Sequence, residues 1–182
     1  MKKLAVLVIL VLVLSVGAYA QMFAGATYHV TIPFKDTKDF VSKTSWLGFG
    51  LEIRKVVAKN FTFGIEMDWV KFSDEVTVGP ITEKRTINSY PALITANYYV
   101  GNKEGFMSYI GLGAGIYYIR NKWGNLINDN IHLGLAPELG FIYRIKPHMG
   151  LLGSVRYNHA FEAGGWTHTY WSVKVGLLWR ND

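Results

Sequence analysis

The most constraining feature of the sequence is an alternation of apolar and polar residues that runs from Ile131 to Ile145. One set of alternate positions is bulky and apolar, and the other set is small, polar or charged. Side chains alternate between the two faces of a β-strand, so this pattern indicates a strand. At about fifteen residues, the segment exceeds the five or six residues of a typical soluble strand and is long enough to cross a bilayer at a tilt.

The same alternation recurs along the chain and predicts eight strands. They cover residues 23–34, 44–57, 61–73, 85–100, 106–120, 131–145, 149–160 and 168–180. The connections alternate in length: the second, fourth and sixth are short, whereas 35–43, 74–84, 121–130 and 161–167 are longer and richer in polar residues, glycine or tryptophan. Short turns on one side and longer loops on the other are typical of outer-membrane barrels. The sequence therefore predicts an all-β fold: one eight-stranded antiparallel transmembrane β-barrel in an up-and-down meander.

The first twenty residues have the layout of a secretory signal peptide. Lys2 and Lys3 precede an unbroken apolar run from Leu4 to Leu14, and small residues at 18 and 20 suit a signal peptidase. We therefore expect cleavage before Gln21 and a mature barrel domain over residues 21–182 of a bacterial protein. An even strand number places both termini on the short-turn side, which is the periplasmic side of such a barrel.

The apolar face can meet lipid or line a cavity, as in a soluble lipocalin-like ligand binder. Three observations favour lipid. The apolar face is too bulky for the interior of an eight-stranded barrel, the opposite face is rich in glycine and carries charge, and aromatic residues collect near both strand ends as two interfacial girdles. The sequence thus predicts a narrow, polar, packed lumen.

Eight charged residues are predicted to point into that lumen. The acidic ones are Glu52, Glu66, Asp68 and Glu138, and the basic ones are Arg54, Arg144, Arg156 and Lys174. Isolated buried charges are costly, so a balanced set indicates a structural network of ion pairs. The alternative interpretation is a polar path for ions, although eight strands leave little open bore. His29 and His132 are also predicted to face inward and to form hydrogen bonds there.

The signal peptide, the amphipathic strands and the closing segment 174–179 resemble the small outer-membrane β-barrel family that includes OmpX, OmpW and the barrel domain of OmpA. A glycine-alternating segment, 109–115, resembles a strand that is common in these barrels. Family members tend to end on an aromatic residue that the assembly machinery recognises; Trp179 matches that position, but three residues follow it. The resemblance implies architecture more than function, because this fold hosts adhesins, channels, enzymes and structural proteins.

Two chemical alternatives are disfavoured by the residues themselves. Lipid A deacylases of this architecture carry His and Ser two residues apart; His159 matches the first, but Phe161 occupies the nucleophile position, and Ser154 falls on the opposite face of the strand. His159 and His168 flank the last loop, with Glu162 between them, and the three have the donor types of a zinc site without a tight ligand spacing. We therefore predict no catalytic residues, no metal and no cofactor.

Composition narrows the remaining functions. The absence of cysteine excludes a disulfide scaffold, a thiolate metal site and a cysteine nucleophile. The formal charge is +6, but basic residues form no run longer than two, so we do not expect a nucleic-acid partner. The predicted function is a non-enzymatic, monomeric outer-membrane barrel with a structural or surface-interaction role. Its predicted partners are outer-membrane lipid, lipopolysaccharide and, during biogenesis, the assembly machinery. A narrow OmpW-like channel for small or apolar solutes is the alternative.

Overall fold

A computed structural model of the chain describes residues 21–78, 81–101, 105–161 and 167–181. Eight antiparallel strands form a closed ring in which each strand pairs with the next, and the last pairs with the first. The strands are β1 (Met22–Phe34), β2 (Gly48–Ala58), β3 (Phe61–Val78), β4 (Ile81–Gly101), β5 (Phe106–Trp123), β6 (Leu126–Lys146), β7 (Met149–Phe161) and β8 (Thr167–Asn181). The predicted eight-stranded meander is confirmed. The predicted signal peptide, residues 1–20, lies outside the described residues and stays a prediction.

The barrel closes along a continuous seam between β1 and β8. This pairing runs from Met22 opposite Asn181 to Phe34 opposite Thr169. Closure gives the two terminal strands hydrogen-bonding partners on both sides, so neither has an open edge along this seam. We call the end that holds the 59–60 and 147–148 turns the short-turn end, and the opposite end the long-loop end.

The two faces of the wall differ as the alternation predicts. In β6, Leu133 and Leu139 point outward and are 68% and 66% exposed, whereas the intervening Ala136 and Glu138 are buried. Aromatic side chains cluster on the outer face near each end. Phe106 stacks on Phe141 at the short-turn end. At the long-loop end the pairs are Phe49 with Trp69, Tyr90 with Tyr118, and Tyr157 with Trp171.

Two predicted loops are instead largely strand. The structure continues β3 to Val78 and β4 from Ile81, and it joins β5 to β6 through a turn at Gly124, whose φ is +56°. The predicted loops at 74–84 and 121–130 were wrong because charged, amide and hydroxyl residues interrupt the alternation of apolar and polar positions there. Cross-strand contacts, such as the Arg120–Asp129 ion pair at 2.9 Å, hold these extensions together instead. The result is a four-stranded sheet that projects beyond the long-loop aromatic residues.

The loop between β1 and β2 contains a short helix, α1 (Asp36–Phe40). Within the described part of the chain, no helix has the length and apolar character needed to cross a membrane.

Candidate functional site

The central part of the lumen is a layer of charged side chains. Seven of the eight predicted residues belong to it: Glu52, Arg54, Glu66, Asp68, Glu138, Arg156 and Lys174. All seven are buried, and strand register brings several of them level, with Glu52 opposite Glu66 and Glu138 opposite Arg156. We call these seven residues the charged layer.

Arg156 is the centre of the charged layer. Its Nη1 donates to Glu66 Oε1 at 2.8 Å and to Asp68 Oδ2 at 3.1 Å, and its Nε donates to Glu138. One guanidinium group on β7 thereby joins carboxylates of β3 and β6 across the lumen. A planar cation with several fixed donors suits this bridging role, because it can satisfy several carboxylate oxygens at once.

The other two bases complete the layer. Lys174 donates to Glu66 and, at 3.3 Å, to Glu138 Oε2. Arg54 donates through Nη2 to Glu52 Oε2 at 2.8 Å and through Nη1 to the hydroxyl oxygen of Tyr99 at 2.9 Å. Tyr109 donates its hydroxyl to Glu138 and lies under the Arg54 guanidinium, 4.7 Å from ring centroid to Cζ.

Arg144 does not join the charged layer, so its predicted place in the network was wrong. It is half-buried at the short-turn end and has no ion pair with a described residue. Arg144 lies six positions beyond Glu138 on the same strand, which corresponds to about 20 Å of extended chain. The alternation identifies the face of a residue correctly but carries no information about its height in the barrel. The charged layer therefore holds four acids and three bases.

His29 was predicted to face inward, but its position beside the charged layer was not predicted. It is buried, its Nε2 lies 2.7 Å from Thr27 Oγ1 and 3.7 Å from Asp68 Oδ1, and it pairs in register with Lys174. One donor atom each from His29, Glu66 and Asp68 fits within 4.8 Å, as in a metal site. Both Glu66 oxygens, however, already accept hydrogen bonds from Arg156, and one also accepts from Lys174. This donor set is committed to ion pairs and fits a metal poorly.

Apolar layers fill the lumen on both sides of the charges, which the sequence analysis did not predict. The layer toward the long-loop end contains Val70, Phe72, Ile87, Tyr117, Ile119 and Tyr170. The layer toward the short-turn end contains Tyr99, Tyr109, Ile142, Leu152 and Leu178. All of these side chains are at most 7% exposed. Their signal was present in the sequence as large residues on the glycine-rich face, such as Tyr109 and Tyr117, which stand at the two ends of the glycine run of β5.

The loop that carries α1 folds over the long-loop mouth of the lumen. Val41 is fully buried in the apolar layer toward the long-loop end. Asp36 accepts hydrogen bonds from the backbone N–H and hydroxyl of Thr167, which hold its pKa below the usual range. Asp74 accepts from the hydroxyl and backbone N–H of Ser42 and pairs with Lys43 at 2.9 Å, and these contacts lower its pKa strongly. The mouth is therefore covered by a loop that is fastened to β8 and β3.

The two disfavoured chemical sites do not assemble in the described residues. His159 lies on the outer face beside the rings of Tyr157 and Phe161, at 6.2 and 4.5 Å between centroids, whereas Ser154 points inward and is buried. His168 lies inside the barrel with its ring against that of His132, at 5.9 Å between centroids. Glu162 of the proposed zinc site lies outside the described residues.

A closed antiparallel ring with an apolar exterior, aromatic residues near both ends and a packed interior defines a small transmembrane β-barrel. The family model described as outer membrane protein beta-barrel domain matches residues 6–180, and the chain belongs to this family. This membership decides against the lipocalin-like alternative. No curated protein sequence matches the chain.

Solved structures agree on the fold. Neisserial surface protein A is 14% identical, with a TM-score of 0.57, over 88% of this chain and 96% of its own. A major outer membrane protein from Thermus thermophilus is 12% identical, with a TM-score of 0.60, over 90% and 100%. The E. coli outer membrane protein W is 17% identical, with a TM-score of 0.53, over 91% and 100%. At these identities the likeness concerns the fold alone.

Proposed function

We propose that the protein is a non-enzymatic outer-membrane barrel whose closed lumen makes it a rigid anchor for a projecting surface sheet. The observation that carries this proposal is the order of the layers along the inside of the barrel. An apolar layer, the charged layer, a second apolar layer and the α1 loop follow one another from the short-turn end to the long-loop end. An ion crossing this path would have to leave water at both apolar layers, at a high energetic cost.

The charged layer also argues for a structural role. Each base makes an ion pair or hydrogen bond within the lumen, and the carboxylates are spread over β2, β3 and β6. Removing one partner of such a network leaves an uncompensated buried charge, so the network favours one arrangement of the strands. In this proposal the charged layer stiffens the wall and conducts nothing.

The projecting sheet supports the surface-interaction part of the proposal. Its tip at the β5–β6 turn exposes Trp123, Leu126 and Ile127, with Leu126 73% exposed. Apolar side chains at the tip of a hairpin, away from the lipid-facing band, are typical of contact surfaces. With the termini in the periplasm, this sheet faces the cell exterior.

Outer-membrane lipid and lipopolysaccharide surround the outer face in this proposal, and the assembly machinery inserts the chain. The barrel closes on its own strands, which fits a monomer. We propose a non-enzymatic role, because the described residues place no serine beside the outward-facing His159 and Phe161 occupies the position two residues further on. Mass spectrometry of lipid A from cells that express the protein or its H159A variant should show the same acyl chains; loss of a chain only with the wild type would contradict this assignment.

Planar-bilayer recording of the refolded mature protein tests the proposal against the OmpW-like channel. A general porin recorded under the same conditions serves as the positive control. We expect no discrete conductance steps above those of protein-free bilayers. Reproducible conductance steps whose size changes in the Glu138→Gln variant would show that ions pass through the charged layer, and this result would refute the anchor proposal.

A further inference from the structure

The net charge of the mature chain is concentrated at one end of the barrel. Excluding residues 1–20, the chain has 17 basic and 13 acidic residues. The short-turn end carries five described basic residues and no described acidic one, although the basic residues are scattered in sequence. We call these five residues the basic rim: Lys55, Lys59, Arg144, Lys146 and Arg180. Three further charged residues next to these positions in the sequence, Lys103, Glu104 and Asp182, lie outside the described residues.

The opposite end is close to neutral. Its eight described basic residues, Lys35, Lys38, Lys43, Lys71, Lys84, Arg85, Arg120 and Lys122, accompany six described acidic ones, Asp36, Asp39, Asp74, Glu75, Glu83 and Asp129. Several form pairs, such as Lys43 with Asp74 and Arg120 with Asp129. The charge asymmetry therefore distinguishes the two ends of the molecule and is not a general property of its surface.

Two members of the basic rim, Lys55 and Lys146, lie where the outer wall of the barrel leaves the apolar band, whereas Arg144 and Arg180 lie on the lumen face of their strands at the same end. Lys55 lies on the outer face, in register with Phe63 and Met22, and Lys146 pairs with Met149, itself opposite Trp179. Lysine side chains in such a position run their methylene stems along apolar surface and place the ammonium group at the interface. In a bilayer, lipid phosphates lie at this interface, just outside the hydrocarbon core.

We propose that the basic rim binds the phosphate groups of anionic phospholipids in the leaflet next to the short turns. Positive charge beside a bilayer surface attracts anionic head groups. The outer-face position of two lysines of the basic rim supports a lipid over a soluble anionic polymer, because Lys55 lies opposite Phe63 and Lys146 lies opposite Met149 at the edge of the apolar exterior.

The test uses the folded mature protein in phosphatidylcholine vesicles with a trace of spin-labelled lipid. Electron paramagnetic resonance gives the association constant of labelled phosphatidylglycerol relative to labelled phosphatidylcholine at the protein surface. Each lysine near an anionic lipid is worth roughly fivefold in association. We expect a severalfold preference of the wild type for phosphatidylglycerol, which decreases as salt rises and falls near unity in Lys55→Gln/Lys59→Gln/Lys146→Gln.

The matched control changes three exposed lysines at the other end: Lys38→Gln/Lys84→Gln/Lys122→Gln. This variant alters net charge equally and should keep the preference, and the mobility shift on boiling checks that every variant is folded. Equal loss in the control variant, or no preference in the wild type, overturns the proposal. Charge-dependent co-sedimentation of the wild type with isolated peptidoglycan, without any lipid preference, would assign the basic rim to the cell-wall polymer instead.

Discussion

Replacing Arg156 with methionine perturbs the charged layer at its most connected point. The substitution keeps an unbranched side chain but removes the donors to Glu66, Asp68 and Glu138. The layer would then hold four carboxylates against two bases. Removing one partner of a buried ion pair costs about 3–5 kcal/mol. We expect a loss of that size in the free energy of unfolding, measured by urea titration of the barrel in lipid vesicles with tryptophan fluorescence as the signal.

Two comparisons make this prediction specific. Arg156→Met/Glu138→Gln removes one charge of each sign, so it should be less destabilised than Arg156→Met alone. Arg120→Met breaks the exposed pair with Asp129 and should cost far less than Arg156→Met, because solvent screens that pair. If Arg156→Met cost no more than Arg120→Met, the reasoning from buried charge would be refuted.

Two further predictions concern the packing inside and at the mouth of the barrel. A Cβ at Gly50 would collide with Asp68 Oδ1, so Gly50→Ala should lower the free energy of unfolding by about 1–3 kcal/mol. A Cβ at Gly105 would meet no atom of the described residues within 4 Å, so Gly105→Ala should be neutral in the same urea titration. Asp74 holds the α1 loop most strongly when its side chain is ionised. Because contacts in the folded state lower its pKa, its stabilisation of the docked loop is complete above about pH 4 and is lost as the pH falls through the folded-state pKa. Asp74→Asn should therefore speed amide exchange at Val41 at neutral pH and flatten its acid dependence; unchanged exchange would contradict the role of Asp74.

The sequence predicted the wall of the barrel better than its contents. Alternation is a local property of the pleated backbone, so segments such as 131–145 revealed the strands and their two faces without tertiary information. Pairing across the short turns then followed from chain order. The projecting hairpins were missed because strands outside a membrane need no apolar face, and residues such as Thr77 and Thr82 look like loop residues in sequence.

The height of each side chain inside the lumen depends on register and strand tilt, which no single strand encodes. The alternation therefore placed Arg144 and Arg156 on the same inner face but could not separate their heights, and only Arg156 lies level with the carboxylates of the charged layer. For the same reason, the sequence analysis did not predict the position of His29 beside Asp68, nor did it predict the two apolar layers. The sequence analysis did not find the basic rim because Lys55, Lys146 and Arg180 are far apart in sequence and come to one end only when the barrel closes.

Access of water to the lumen tests the central claim most directly. The chain has no cysteine, so a single introduced thiol is an unambiguous probe. Ser154→Cys places the thiol at a buried lumen position. Thr77→Cys at the long-loop end and Gly105→Cys at the short-turn end serve as accessible controls. A charged, water-soluble thiol reagent should label both controls rapidly and Ser154→Cys only after unfolding. Labelling of Ser154→Cys in the folded barrel at the rate of the controls would show an open lumen and contradict the closed, ion-paired interior.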